Sequence, residues 1–249
     1  MKLLTCPVCG AALAAEGRTL RCGGGHCFDC AKEGYVNLLI SGRPGDSRGD
    51  NKDMARSRRD FLNQGYYQSL AKAVGDCVEN FCPDGGTVFD ICCGEGYYTD
   101  FLSKNYNCRF YGFDISKNMV RLAAKRKCGA VFFVANIAAI PVKTGAVDMA
   151  FHLFAPFHAD EFSRVLADDG VPEGDDAGYD LFLGNPPYYG DWCIAETFIA
   201  TARRALRKGG VCMTVAKSDG GLHEIQAKVF GDAAVTRRRG YCVFSSIHP

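Results

Sequence analysis

The chain has 249 residues, 47% hydrophobic and 23% charged, a composition that supports a sizeable globular core and excludes disordered, fibrous and very small scaffold classes. Its 29 basic and 28 acidic residues leave a net charge of +1, so a nucleic-acid-binding surface would have to be local. No apolar run approaches the roughly 18 residues of a membrane span, and the first six residues carry no signal-peptide pattern. The expected compartment is the cytoplasm, with no membrane partner.

The fourteen cysteines are clustered rather than scattered evenly. Cys6-Pro7-Val8-Cys9, twelve residues, then Cys22-Gly23-Gly24-Gly25-His26 form a C-x2-C-x12-C-x3-H pattern. Two such knuckles can bring Cys6, Cys9, Cys22 and His26 to the corners of a tetrahedron around a structural zinc ion. Cys27 and Cys30 compete with His26 for the fourth position. Free or buried thiols are the alternative. Residues 1–40 are therefore expected to form a zinc-binding module.

Residues 41–80 are expected to be a linker followed by a helical region. The polar stretch from Gly42 to Asp60 shows no apolar periodicity and reads as a loop. A helix is expected from near Arg59 through Phe61, Leu62, Tyr66, Tyr67, Leu70 and Val74, interrupted near Gly65.

A short apolar strand, Thr87-Val88-Phe89-Asp90-Ile91, runs into Cys92-Cys93-Gly94-Glu95-Gly96 and then a helical pattern. Open α/β sheets place cofactors at such a strand–turn–helix corner, where Gly94 and Gly96 permit close backbone approach and Asp90 can meet a polar or cationic group. The next strand, Phe110–Phe113, ends in Asp114, twenty-four residues after Asp90, where a carboxylate can take both ribose hydroxyls of a nucleoside. A third strand, Val131–Val134, precedes Asn136, placed to meet an adenine edge. A dinucleotide-oxidoreductase reading fits less well, because its third glycine would fall where Thr99 stands.

These motifs resemble class I S-adenosylmethionine methyltransferases, whose first motif is commonly D-x-G-C-G-x-G, with Cys92 standing in place of the first glycine. Over residues 5–170 the chain is more closely similar to bacterial 23S ribosomal RNA (guanine-N1)-methyltransferases. The resemblance is carried by Cys6 to His26, Gly34-Tyr35-Val36-Asn37-Leu38-Leu39, Gly65-Tyr66-Tyr67, Gly94-Glu95-Gly96-Tyr97-Tyr98-Thr99 and Gly112-Phe113-Asp114-Ile115-Ser116-Lys117. It implies structural zinc on Cys6, Cys9, Cys22 and His26. S-adenosylmethionine would lie on Tyr67, Asp90, Gly94, Glu95, Gly96, Asp114, Ile115 and Asn136. Ribosomal RNA as substrate and a homodimer are also implied.

The fourth strand is expected twice. Val147–Leu153 is followed by the turn Phe154-Ala155-Pro156 and a helix from Ala159 to Leu166. An acidic, glycine-rich stretch then leads to Tyr179-Asp180-Leu181-Phe182-Leu183-Gly184-Asn185-Pro186-Pro187-Tyr188. The Asn-Pro-Pro-Tyr string resembles the fourth motif of methyltransferases acting on exocyclic or amide nitrogens. There Asn185 and the Pro186 carbonyl would accept from a planar amino group while Tyr188 stacks on the ring. Residues 179–246 look like the C-terminal part of the small-domain methyltransferases that include 16S ribosomal RNA (guanine-N2) enzymes. A helix over 194–206, a strand from Val211 to Ala216, a helix from Leu222 to Phe230 and a strand from Tyr241 complete the pattern.

The expected fold is α/β, a Rossmann-like doubly wound sheet of the class I methyltransferase type with a small N-terminal zinc-binding module. Residues 81–249 would form one sheet, with a composite junction at 167–179. The expected function is methyl transfer to a guanine of ribosomal RNA, of the 23S guanine-N1 type. An exocyclic-amine methyltransferase working through Asn185 to Tyr188, and an inactive composite zinc- and RNA-binding protein, are the competing readings.

Overall fold

The computed structural model describes residues 2–40, 50–155, 158–166, 179–184, 193–217, 221–238 and 240–249. It divides into two compact units, 1–167 and 168–249. No helix among the described residues is long and apolar enough to cross a membrane.

The first unit opens with an antiparallel ribbon of β1 (Leu13–Glu16), β2 (Thr19–Cys22) and β3 (Cys27–Asp29). A five-stranded parallel sheet follows, ordered β4 (Val36–Asn37), β7 (Val131–Val134), β6 (Arg109–Asp114), β5 (Thr87–Ile91), β8 (Met149–His152). From β7 to β8 this order reverses beside β5, the topological switch point at which open α/β sheets bind ligands. Alternate residues of β5 and β6 face opposite sides, as strand geometry requires. Val88 and Phe110 pack against Val74, Val78 and Leu102 of helices α2 (Gln68–Phe81) and α3 (Tyr97–Asn105). On the other face Phe89, Ile91, Tyr111 and Phe113 share one core with Leu4, in the segment that leads into the ribbon, with Leu13 and Leu20 of the ribbon itself and with Phe162 and Val165 of helix α5 (Ala159–Val165). The ribbon thus covers a sheet face and is not an appendage.

Helix α1 (Lys52–Leu62) begins seven residues before the Arg59 start expected from sequence. Asn51 explains the difference, because its side chain accepts from the backbone of Asp53 and Met54 and supplies an N-cap. The break between α1 and α2 falls around Gly65, whose φ is 83°. Residues 41–49 of the expected linker lie outside the described residues. Helix α4 (Lys117–Ala124) is capped by Ser116 and lays Val120 and Ala123 against Phe132 and Val134.

The second unit has its own four-stranded sheet, ordered β11 (Ala234–Arg238), β12 (Tyr241–Ile247), β10 (Leu206–Ala216), β9 (Tyr179–Gly184). Strands β9 and β10 are parallel and joined through helix α6 (Cys193–Ala205), whereas β12 runs antiparallel between β10 and β11. Helix α7 (Leu222–Phe230) ends at Gly231, in the left-handed conformation at φ 95° that helix C-termini favour.

Where the sequence reading expects one continuous sheet over 81–249, the described strands of that range lie in two sheets, one in each unit. Both fourth-strand candidates form strands, each committed to a different neighbour. Val88 to Ile91 pair in register with Met149 to His152, while Leu181 to Gly184 pair with Val211 to Thr214. One sheet edge accepts one strand, and two local patterns of equal quality produce two edges. Strand β10 also begins earlier than expected, passing through Lys208-Gly209-Gly210 by a register shift between Leu206 and Val211.

Candidate functional site

Strand β5 delivers the centre of the site. Asp90, 3% exposed, accepts from the Thr99 hydroxyl one turn into α3. Burial pushes the Asp90 carboxyl up to about 7, the Thr99 hydrogen bond opposes that rise, and the nearby Asp114 adds to it. The position that would need glycine in an oxidoreductase fingerprint thus holds a hydroxyl that anchors the central carboxyl.

After β5 the chain turns sharply. Cys92 adopts φ 58°, a left-handed conformation that costs an L-residue about 1–2 kcal/mol, in the place where the family pattern has glycine. Gly94 and Gly96 follow at φ 54° and 79°. A Cβ on Gly94 would meet nothing within 4 Å, so this backbone lies open to a ligand, whereas one on Gly96 would sit 2.8 Å from the Ala123 Cβ. Gly94 therefore keeps a cradle open, and Gly96 lets α3 close on α4.

Asp114 reaches back to this turn from the end of β6. Its carboxylate accepts from the Gly94 amide at 3.1 Å and the Ser116 amide at 2.8 Å. Burial raises its pKa and these two amides counter the rise. Ile115 beside it is half-buried. Asn136, just past β7, folds its side-chain oxygen onto the Ala138 amide at 3.1 Å; the cleft of about 620 Å³ that it lines runs along Leu38, Pro141, Val142 and Arg164 and is bordered by none of Asp90, Gly94 and Asp114. Glu95 points away from this row. It is 1% exposed, and Arg126 donates to its carboxylate and carbonyl at 3.0 Å each. Its side chain belongs to the turn's support.

Tyr67 immediately precedes α2 and meets Phe154 edge-on at 5.9 Å. Sequence reasoning did not single out Tyr98. It is 7% exposed, with its hydroxyl buried and unpaired among the described residues, within electrostatic reach of Tyr67 and Asp90. Only its place in the Tyr97-Tyr98-Thr99 string signals it. His152, the last residue of β8, lies opposite Ile91 and packs against Phe162 at 5.3 Å. Burial lowers its pKa to about 4, so it is neutral at physiological pH. An open glycine cradle, two carboxyl groups at adjacent strand ends and a buried unpaired hydroxyl fit a polar nucleoside donor such as S-adenosylmethionine.

The metal pattern is compact. Ligand atoms of Cys6, Cys9, Cys22 and His26 all lie within 4.8 Å of one another. The Cys9–Cys22 sulfur separation is 3.7 Å, and His26 Nδ1 lies 3.4 Å from Cys22 Sγ and 3.6 Å from Cys6 Sγ. Zinc–sulfur bonds of about 2.3 Å require tetrahedral edges of about 3.8 Å, so these side chains fit a zinc ion. Cys27 is exposed and turns to the Gly25 carbonyl, and neither it nor Cys30 joins the group. Asn185, Pro186, Pro187 and Tyr188 lie outside the described residues.

Residues 4–40 match the model of the N-terminal zinc ribbon of RlmA, residues 88–170 a methyltransferase domain, and residues 133–245 the methyltransferase small domain. The chain is a class I S-adenosylmethionine methyltransferase by fold, related to the ribosomal RNA guanine methyltransferases. The 23S rRNA (guanine(748)-N(1))-methyltransferase of Streptomyces fradiae is 34% identical over 175 residues, 69% of this chain and 62% of that protein. A putative 23S rRNA (guanine-N(1)-)-methyltransferase of Micromonospora griseorubida is 33% identical over 188 residues, 68% of this chain and 63% of its own. This methyltransferase relative thus spans about three-fifths of the length of the curated proteins it matches. The T. thermophilus 16S rRNA N2 G1207 methyltransferase, solved with AdoMet and guanosine, aligns over 93% of this chain and 50% of its own at 17% identity, with a TM-score of 0.38.

Proposed function

We propose that the protein transfers a methyl group from S-adenosylmethionine to a guanine of ribosomal RNA, with N1 of a large-subunit guanine as the target. The carrying observation is that one unit joins the Cys/His ribbon to the β5 and β6 carboxyl ends through a shared core. The S. fradiae relative, named for 23S guanine-N1 methylation, aligns with 69% of the chain. Bound S-adenosylmethionine supplies an electrophilic methyl group on a sulfonium. Asp114 would hold the ribose hydroxyls, Ile115 and Asn136 the adenine, and the Gly94 to Gly96 turn, Asp90 and Tyr67 the methionyl end. In-line transfer then needs alignment and exclusion of water. The ribbon zinc, held by four protein ligands, would have no open position for substrate and would serve structure.

The second reading is favoured by one observation. Strand β9 ends at Gly184, directly before Asn185, so Asn-Pro-Pro-Tyr follows a strand parallel to β10. That is where an amino-group site would stand.

Purified protein with labelled S-adenosylmethionine and unmodified ribosomal RNA, followed by nucleoside mass spectrometry, separates the readings. N1-methylguanosine is expected. N2-methylguanosine or N6-methyladenosine would transfer the chemistry to Asn185, Pro186 and Tyr188. Absence of any methylated nucleoside from naked RNA and subunits would overturn both in favour of a composite RNA-binding protein. Light scattering on the same preparation tests the homodimer.

A further inference from the structure

A row of aromatic rings crosses the mouth of the site. Tyr66 contacts Phe61 at 5.5 Å, Phe61 contacts Tyr67 at 5.9 Å, and Tyr67 contacts Phe154 at 5.9 Å. Three of the four lie open to solvent: Tyr66 is 69% exposed, Phe154 55% and Phe61 47%. Local helix packing does not require this. Helix α1 buries only Ala55, so Phe61 contributes little to the core and instead meets two other rings.

Phe154 carries a second mark. It stands two residues past His152, the end of β8, with φ 58°, a conformation that bulky L-residues avoid. Such strain persists where the surroundings hold a side chain in a required place, and here it turns the ring toward Tyr67. The position lies beyond the carboxyl ends of β5 and β8, the side on which open α/β sheets bind ligands.

The charge nearby selects the occupant. Phe61 lies on α1, which carries four basic and two acidic residues; Arg58, one turn before Phe61, is exposed and pairs with Asp50 at 3.1 Å, a contact a phosphate could replace, and Arg56 is exposed further round the same helix. An uncovered aromatic surface beside guanidinium groups suits a strand that offers both a flat π-face and phosphates.

We infer that Tyr66, Phe61 and Phe154 form a stacking platform for one unstacked purine base of an RNA strand, with Arg56 and Arg58 meeting its phosphates. This rests on the RNA-methylation reading and adds to it the surface that holds the displaced base before transfer. Tyr67 sits within the row, touching Phe61 and Phe154, and lies close enough to Tyr98, beside Asp90, to act on it electrostatically, which ties the platform to the donor site.

The test compares two short oligouridylates by fluorescence anisotropy, one with a single central guanosine and one with an abasic residue in its place. The 249-residue chain is expected to bind the guanosine strand about tenfold more tightly. In Phe154→Leu, which keeps apolar volume but loses the ring, and in Tyr66→Ala, that ratio should fall toward one. Affinity for S-adenosylmethionine and the melting temperature are read alongside. Variants that keep the full ratio overturn the platform, as does a loss of S-adenosylmethionine affinity that matches the loss of RNA affinity. Wild-type protein that methylates ribosomal RNA without discriminating the two strands overturns the platform alone. Protein that neither binds nor methylates RNA overturns the functional reading and the platform with it.

Discussion

Arg126, just past the end of α4, closes over the buried carboxylate of Glu95 inside the glycine turn, donating to its carbonyl as well. Arg126 is itself nearly buried, and its guanidinium lies over the Tyr97 ring at 5.8 Å. The contact clamps the loop that would carry the methyl donor to the helix behind it.

Truncation of one partner should therefore be costly. Arg126→Ala leaves the buried Glu95 carboxylate with only the more distant Arg59, at 4.0 Å, and should lose about 3 kcal/mol of stability in chemical denaturation. Pairing Arg126→Met with Glu95→Gln should recover much of that loss. Equal destabilisation by the single and double variants would show that the clamp is packing alone.

Asp90 predicts a pH dependence. Its ordinary pKa of 3.8 rises to about 7 in the fold, so the folded state holds the proton more tightly than the unfolded state. The resulting penalty is absent below about pH 4, grows as pH rises across that window, and is complete above about 7. Asp90→Asn should thus leave the melting temperature of the ligand-free protein unchanged near pH 4 and raise it at pH 8. Affinity for S-adenosylmethionine should fall in the same variant. A melting difference that is constant with pH would mean that Asp90 stays ionised in the fold.

Gly96 predicts a steric effect separate from charge. Gly96→Ala places a methyl 2.8 Å from Ala123 at a φ of 79°. It should cost about 1–3 kcal/mol by forcing α3 away from α4. Gly94→Ala, with no close neighbour, should cost less in stability while obstructing donor binding. Calorimetric titration with S-adenosylmethionine, beside thermal melts, separates the two.

The ribbon predicts a metal-linked stability. One zinc per chain is expected by elemental analysis, with loss in Cys9→Ser and His26→Ala and retention in Cys27→Ser. Because Leu13 and Leu20 share the core with Phe89 and Phe113, chelation should lower the melting temperature of the whole first unit. A Cys27→Ser protein without zinc would reassign the fourth ligand.

The second unit has a buried polar centre. Gln226 is fully buried, accepts from the Thr214 hydroxyl at 2.6 Å and donates to the Ser246 hydroxyl at 3.1 Å and the Cys212 carbonyl. Gln226→Leu strands the Thr214 hydroxyl and should cost about 1–3 kcal/mol. Hydrogen exchange over β10 and β12 would report that loss.

Much of this architecture follows from local patterns. The apolar run Val131–Val134 becomes β7 and Leu222–Phe230 becomes α7 with the expected bounds, because period and flanking glycines act over a few residues. The C-x2-C-x12-C-x3-H spacing is equally local, and its four side chains meet in the fold. The Asn51 cap is equally local, but it lies within a polar stretch whose composition is that of a loop.

Pairing is another matter. Strand patterns at 147–153 and 180–184 are both sound as sequence, and only long-range hydrogen bonding decided that each would edge a separate sheet. The same holds for the aromatic row, in which Phe154 meets Tyr67 across eighty-seven residues of chain, and for Arg126 on Glu95. Strands, turns and ligand spacing are legible along the chain, since these depend on near neighbours. Which edges join, which rings meet and which charges are buried together were decided by tertiary structure, since those energies exist only once distant segments exclude water between them.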